Sequence, residues 1–373
     1  MEMQKQQADG RIFEAKPTER RYDFVLFFEV REANPNGDPD AGNLPRTDPL
    51  TQEGLVTDVS IKRKWRDYVF EAKKKCREAW KPHLDNSEPS EPGYDIFVRH
   101  NGILANQQRQ AIADSQGVDF GSANPIKKDA KDRDQQIESA RKAACRRFID
   151  VRTFGAVMTT GKVESKKANP TPAANAATGG EKAEWNCGQV KGPVQLTFAR
   201  SVHKINPVQW SIARVAQTNP GDNQNAEEGE SEHGTFGQKP TIGYALYRAH
   251  GFVSASLAEK TGFSAADLEL LFRGLADMFN QHHSASAGLQ TTRELYVFEH
   301  ADKYGCYHAS RLFDTIKENR NNEAAWVDEF PTKPQCFQIT HDFSGMKNKS
   351  LPAGVTLWKW DFDDGKLVWV VKE

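Results

Sequence analysis

The first strong hydrophobic signal in the chain is Tyr22-Asp-Phe-Val-Leu-Phe-Phe-Glu-Val30. Its aromatic and β-branched residues predict a strand in a largely buried environment. Residues 1–20 before it lack periodicity and are expected to form a mobile extension. After it, Asn34-Pro-Asn-Gly-Asp-Pro-Asp-Ala-Gly-Asn-Leu-Pro45 is dense in turn formers and predicts a loop. A helix is predicted from Thr57-Asp58, because Ile61, Trp65, Tyr68/Val69, Ala72 and Cys76 recur at the helical period. Lys62, Arg66, Lys73 and Arg77 fall on the neighbouring face, so one face can pack while the next stays cationic.

Residues 83–126 are irregular in pattern, apart from a strand-like piece at Tyr94–Val98. A charged helix is predicted over about Lys127–Phe148, and Asp150-Val-Arg-Thr-Phe-Gly-Ala-Val157 has the pattern of a strand. Thr159–Glu184 is low in complexity and is expected to be disordered on its own. Gly192–Arg200 predicts another strand. Val202–Thr218 then alternates apolar and basic residues, passes through the polar loop Asn219–Gly234, and returns through Phe236–Gly243 into the strand Tyr244–Val253. This is the form of a long hairpin with few core residues, and such a projection touches something else. Ser264 opens an amphipathic helix to about Met278, and strands follow at Glu294–Phe298, Cys336–Thr340, Thr356–Asp361 and Leu367–Val371. Strands and helices are mixed without an internal repeat, so the fold class is α+β.

Composition narrows the function. The 373 residues carry a formal net charge of −1, with 38% apolar and 27% charged side chains. No apolar run approaches the roughly 20 residues a bilayer span needs, and the N-terminus is too polar for a signal peptide, so no membrane association and a cytoplasmic location are expected. Cys76, Cys145, Cys187, Cys306 and Cys336 are odd in number and contain no CxxC pair, which argues against a disulfide framework and a zinc ribbon. Charge is unevenly spread: Lys62–Lys81 and Lys127–Arg152 are basic, and Glu227–Glu232 is acidic. Local distribution rather than net charge decides whether nucleic acid is a partner.

Gly155-Ala-Val-Met-Thr-Thr-Gly-Lys162 fails as a phosphate-cradling loop, having five residues between its glycines instead of four and Val163 at the Ser/Thr position. The Asn/Asp-rich loop fails as a calcium loop, since counting from Asn34 puts Pro39 at position 6 and Pro45 at position 12. His282-His283 and Cys306-x-His308 are too isolated for a metal site. Asp38, Asp40, Asp48 and Asp58 are the acids a divalent metal would need, which keeps a metal-dependent nuclease as the alternative. No cofactor is expected. The basic helix face is the better signal: it follows an Asn/Gly-rich loop and carries Trp65 and Tyr68. Phosphates call for Lys, Arg and backbone N–H groups, and RNA bases for amides and flat surfaces. The helix N-terminus near Ser60 adds partial positive charge.

Asn34-Pro-Asn-Gly-Asp-Pro…Gly42-Asn-Leu-Pro-Arg46, followed by Gly54-Leu-Val-Thr-Asp-Val-Ser-Ile-Lys-Arg-Lys64, resembles the opening signature of the Csd-type backbone subunit of type I-C CRISPR surveillance complexes. Asp150–Met158, Cys187–Ser201 and Tyr244–Phe252 agree with that family in sequence and order, and the resemblance covers roughly residues 21–372. It implies a modified RRM, that is, a ferredoxin-like antiparallel sheet core or palm with helices on one face. It also implies a finger insertion at about 83–126, a flexible loop at 159–184 and a β-hairpin thumb at 202–243. Such subunits stack along CRISPR guide RNA as a helical filament, present the guide for pairing with target DNA, and bind the guide-processing and large subunits. The chain would then be non-catalytic, the alternative being a metal-dependent RNase of the type III backbone kind. The motif positions implied to meet RNA are Asn34, Asn36, Gly37, Asn43 and Arg46 in the loop, and Ser60, Lys62, Arg63 and Arg66 on the first helix. Arg152, Phe154, Lys191 and Arg200 lie in the middle motifs, and His203, Lys204, Arg214 and Lys239 in the thumb.

Overall fold

A computed structural model describes residues 18–80, 92–128, 130–159, 161–162, 183–213 and 236–371. The expected N-terminal extension, most of the 159–184 loop and the tip of the hairpin, with Arg214, lie outside the described residues. Strand β1 (Tyr22–Ala33) extends the apolar run that predicted it. It is joined by β2 (Glu53–Val56), β3 (Val194–Leu196), β4 (Ala199–Lys204), β5 (Pro207–Ala213), β6 (Phe236–Val253), β7 (Leu289–His300), β8 (Val355–Asp361) and β9 (Lys366–Val371). Among the described residues these make one antiparallel sheet in the order β9-β8-β7-β1-β6-β4-β2, with β3 and β5 also paired to β6. Tyr22 faces Val253 of β6 and Glu299 of β7, which fixes the register of the three central strands.

Both faces of β1 are covered, which is why its sequence lacks polar alternation. Phe24, Leu26, Phe28 and Val30 join a core with Trp65, Leu271, Phe272, Leu275 and Phe279. Val25 and Phe27 turn to the other face, against Tyr296, Phe298, Phe313, Ile316, Trp326 and Phe337. Each such side chain contributes about 1.5–3 kcal/mol by leaving water. The helical layer therefore has a counterpart on the second face, built by residues 312–351.

Two helices form the first layer. In α1 (Asp58–Ala72), Thr57 caps the N-terminus by accepting from the Ser60 amide. A second helix, Ala265–Gln281, starts in a capping box in which Ser264 and Asp267 each bond the other's backbone amide. A Cβ on Gly274 would stand 2.5 Å from Trp65 Nε1, so glycine there lets the two helices close on each other.

A satellite core lies between them in sequence. It is built from α2 (Leu104–Gln116), α3 (Arg133–Arg147) and α4 (Ile149–Phe154), and Ala265–Gln281 is accordingly α5. Phe97, Ile112, Ala144, Phe148, Val151, Met158 and Cys187 fill it. Two expectations are corrected here. Residues 83–126 hold the helix α2, and the predicted strand Asp150–Val157 is helical through Phe154, becoming strand only over Gly155–Met158. The switch needs Gly155, whose φ is +81° and whose Cβ would meet Val190 O at 2.3 Å. The predicted strand Gly192–Arg200 is likewise divided into β3 and the start of β4.

The hairpin pairs β5 with β6 from Pro207↔Ile242 to Ala213↔Phe236. Its apolar set divides. Ile205 is buried in the first core and Val202 packs on the second. Val208, Trp210 and Ile212 share one face and are exposed, Trp210 by 57%. No helix among the described residues is long and apolar enough to cross a membrane.

Candidate nucleic-acid interface

The asparagine-rich loop and the first turn of α1 are fastened into one body. Asn36 Oδ1 accepts from the Thr57 amide at 2.9 Å and from Thr57 Oγ1 at 3.0 Å, so it holds the helix cap. Asn34 Nδ2 donates to Asn43 O at 2.7 Å, while the buried Asn34 Oδ1 has no donor among the described residues. Asn43 has φ +63°, and a Cβ on Gly37 would collide with the Asn43 amide, so glycine there lets the Asn43 side chain fold over the turn. Arg46 donates its amide to Asn36 O and its guanidinium lies 3.5 Å from Asp38. Beneath the loop, buried Lys64 donates to Ser60 Oγ at 3.0 Å and Pro35 O at 3.4 Å. Burial pulls its ammonium pKa down to about 8.

The cations of α1 are matched within the chain. Lys62 meets Asp58 at 2.7 Å and Arg63 meets Asp67 at 3.0 Å, both one helical turn away. Arg66 is different. It is 11% exposed and bonds Asp150, 1% exposed, at 2.7 Å; Asp150 also accepts from the amides of Phe97 and Val98. Arg66 thus ties α1 to α4 and to the segment before α2. The Phe154 ring lies under both Lys62 and Arg66, with Trp65 edge-on to it, so Phe154 is packed beneath the cationic face.

Arg152 is committed more deeply still. It is 1% exposed, forms a two-pronged pair with Asp267 at 2.8 and 2.9 Å, and donates to Gly93 O at 2.7 Å. A buried guanidinium this fully bonded supports the junction of α4 and α5. Lys191 is exposed on the strand Gly188–Lys191. Arg200 on β4 reaches Asp48 at 2.9 Å and Glu53 at 3.2 Å, joining the sheet to the asparagine loop and holding the Asp48 carboxyl below its usual range. His203 lies against Trp326 and Phe337, and burial lowers its pKa. Lys204 pairs with Glu329 at 2.7 Å, and Lys239 stands opposite Trp210 in the hairpin.

The structure thus brings Asn34, Asn36, Gly37, Asn43 and Arg46 together against the N-terminus of α1, with Ser60, Lys62 and Arg63 following along the helix and Arg200 bonded to Asp48 just after the loop. It does not gather the candidate metal acids: Asp38 pairs with Arg46, Asp48 with Arg200 and Asp58 with Lys62. Among the described residues no three His, Cys, Asp or Glu side chains are placed to hold a metal. Lys64, Asp150 and Asp267 were not singled out from the sequence. Asp58 and Asp67 were legible partners, standing four residues from Lys62 and Arg63. Nothing local marks Asp150, and the spacing Ser264-x-x-Asp267 marks Asp267 only as a capping-box residue, not as the partner of Arg152. Chemically, the surface can take a polyanion by exchanging exposed carboxylate partners for phosphates.

The family model for "CRISPR-associated protein Cas7" matches residues 20–339. A Haloferax volcanii protein, also described as CRISPR-associated protein Cas7, is 27% identical over 307 residues, or 80% of this chain and 76% of its own length. Among solved structures, a chain of "CRISPR RNA-guided surveillance complex, pre-nicking" superposes with a TM-score of 0.42 at 16% identity, covering 74% of this chain and 78% of its own. A chain of "CRISPR RNA-guided surveillance complex" gives 0.34 at 12%, covering 74% and 68%.

Proposed function

The chain belongs to the CRISPR-associated Cas7 family, and from that premise we propose that it is a non-catalytic backbone subunit of a type I-C surveillance complex, coating guide RNA. The observation that carries this is the rigid unit of asparagine loop and α1 N-terminus, cross-bonded through Asn36, Thr57, Ser60 and Lys64. It offers amides and backbone N–H groups, with the cations Lys62 and Arg63 on the adjoining turns of α1, the mixture that single-stranded RNA needs. Exposed ion pairs such as Arg63–Asp67 are worth about 0–1 kcal/mol, so phosphate displaces the carboxylate at little cost.

The sheet with α1 and α5 on one face serves as a modified RRM-like palm, and the layer containing α2 serves as the finger insertion. The β5/β6 hairpin serves as the thumb. Its exposed face of Val208, Trp210 and Ile212 suits packing on a further copy of the chain and its RNA. Target DNA is then met through the guide, and the other subunits of the complex at the ends of the filament.

Replacing residues 206–240 with a short Gly/Ser turn tests this. The monomer should keep its fold and melting temperature, because Trp210 and Ile212 contribute nothing to the two sheet cores. Filament growth along guide RNA should fail. Full-length particles from the truncated protein, or an unfolded monomer, would count against the thumb assignment. Magnesium-dependent cleavage of RNA complementary to the guide would point to an RNase instead.

A further inference from the structure

A cleft of about 480 Å³ opens where α3, the turn before α5 and Tyr94 meet. Its walls carry Lys142 and Arg146 from α3, Lys260 from the short helix Ala255–Thr261, Gly262 that ends it, and Ala266 from the first turn of α5; among the described residues none of the lining is acidic. On α1, Lys62, Arg63 and Arg66 each hold a carboxylate, and Arg147, next to Arg146, holds Asp114. The cleft differs from those sites in gathering cations around a cavity. Arg146 and Lys260 are exposed, and among the described residues neither has a carboxylate within ion-pair distance. Lys142 has only Glu138 at 3.8 Å, which Arg141 already holds at 2.5 Å.

The floor of the cleft is built and rigid. Arg152 lies there, fixed to Asp267, and Asp267 closes the capping box with Ser264. That box satisfies the Ser264 and Asp267 amides, while those of Ala265 and Ala266 have no acceptor among the described residues. They add the positive end of a seventeen-residue helix to the three side-chain cations. The volume is that of a small-molecule site rather than of a bare ion. The cleft adjoins the far end of α1, where Lys73 lies over the Tyr94 ring, about 20 Å along the axis from the asparagine loop.

We propose that this cleft is a second anion site, separate from the α1 face, that binds the phosphate group of a nucleotide unit between Lys142, Arg146, Lys260 and the first turn of α5. The phosphate comes either from a free phosphorylated molecule or from a nucleic-acid backbone. It stands independently of the guide-RNA assignment.

The test is calorimetric titration of the full chain, stripped of RNA, with inorganic phosphate at constant ionic strength. Phosphate should bind, and Arg146→Gln with Lys260→Gln should weaken it about tenfold or more, while Lys347→Gln, an exposed cation outside both surfaces, leaves it unchanged. Both glutamine positions are exposed; should the double variant fail to fold, either single variant carries the comparison. A short oligothymidylate then separates the sources. If it displaces bound phosphate, the occupant is backbone; if both bind together, the occupant is a free phosphorylated molecule. No binding of millimolar phosphate, equal binding by wild type and double variant, or loss in Lys347→Gln equal to that in the double variant overturns the proposal.

Discussion

Replacing Arg66 and Arg63 separately by Ala distinguishes a cation that holds the fold from one offered to RNA. Removing Arg66 leaves the buried Asp150 carboxylate without its counter-charge. Breaking a buried pair by deleting one partner costs ~3–5 kcal/mol. Here Asp150 keeps the Phe97 and Val98 amides at 2.8 and 3.1 Å, and Arg66 sits at the rim. The expected loss is therefore about 2–3 kcal/mol, including the cation over Phe154. Arg63→Ala removes an exposed pair with Asp67 and should cost less than about 1 kcal/mol. Urea unfolding of the RNA-free chain measures both. In RNA binding the order reverses: Arg63→Ala should reduce the slope of log affinity against log salt by about 0.7, one phosphate contact on a single strand. Arg66→Ala, assayed well below its unfolding midpoint, should leave the slope alone. An Arg66→Ala protein as stable as wild type, with a salt slope reduced like that of Arg63→Ala, would refute this division of roles.

Two further outcomes follow from buried charges. Asp267→Ala should cost about 3–5 kcal/mol, and Arg152→Met with Asp267→Leu should cost less than Asp267→Ala alone, because the stranded guanidinium is gone; a double variant less stable than the single one contradicts the assignment of Arg152 to the core. Lys64 has a folded pKa of about 8 against an ordinary 10.5, so between those values the unfolded chain binds more protons and stability rises with pH. The slope is at most about 1.4 kcal/mol per pH unit. Urea midpoints at pH 8 and pH 10 should show the rise in wild type and lose it in Lys64→Met.

The legible parts of this protein are those where local chemistry and tertiary packing agree. The apolar run at Tyr22–Val30 became the central strand, the Thr57 and Ser264 positions became helix caps, and the asparagine loop became a rigid turn with Gly37 at its tightest point. Other parts are set by contacts distant in sequence. α2 escaped because its buried side includes Gln107 and Gln108, and its N-cap, Ile103, offers no side-chain bond. α4 is six residues buried on every side, so its β-branched residues say nothing about its conformation. The cationic stripe on α1 was readable as a stripe, but its split into exposed Arg63 and committed Arg66 depends on an aspartate 84 residues away. The commitment of Arg152 was hidden for the same reason, with its partner 115 residues distant.

The most direct test of the RNA-coating role is to purify the native assembly and sequence the RNA it holds. The account predicts several copies of this chain on one guide RNA containing CRISPR repeat and spacer sequence, with unrelated spacers recovered alike, since a coating subunit contacts backbone and leaves base edges for the target. An assembly free of RNA, or RNA enriched more than about tenfold for one spacer sequence, some 1.4 kcal/mol of preference, would contradict it.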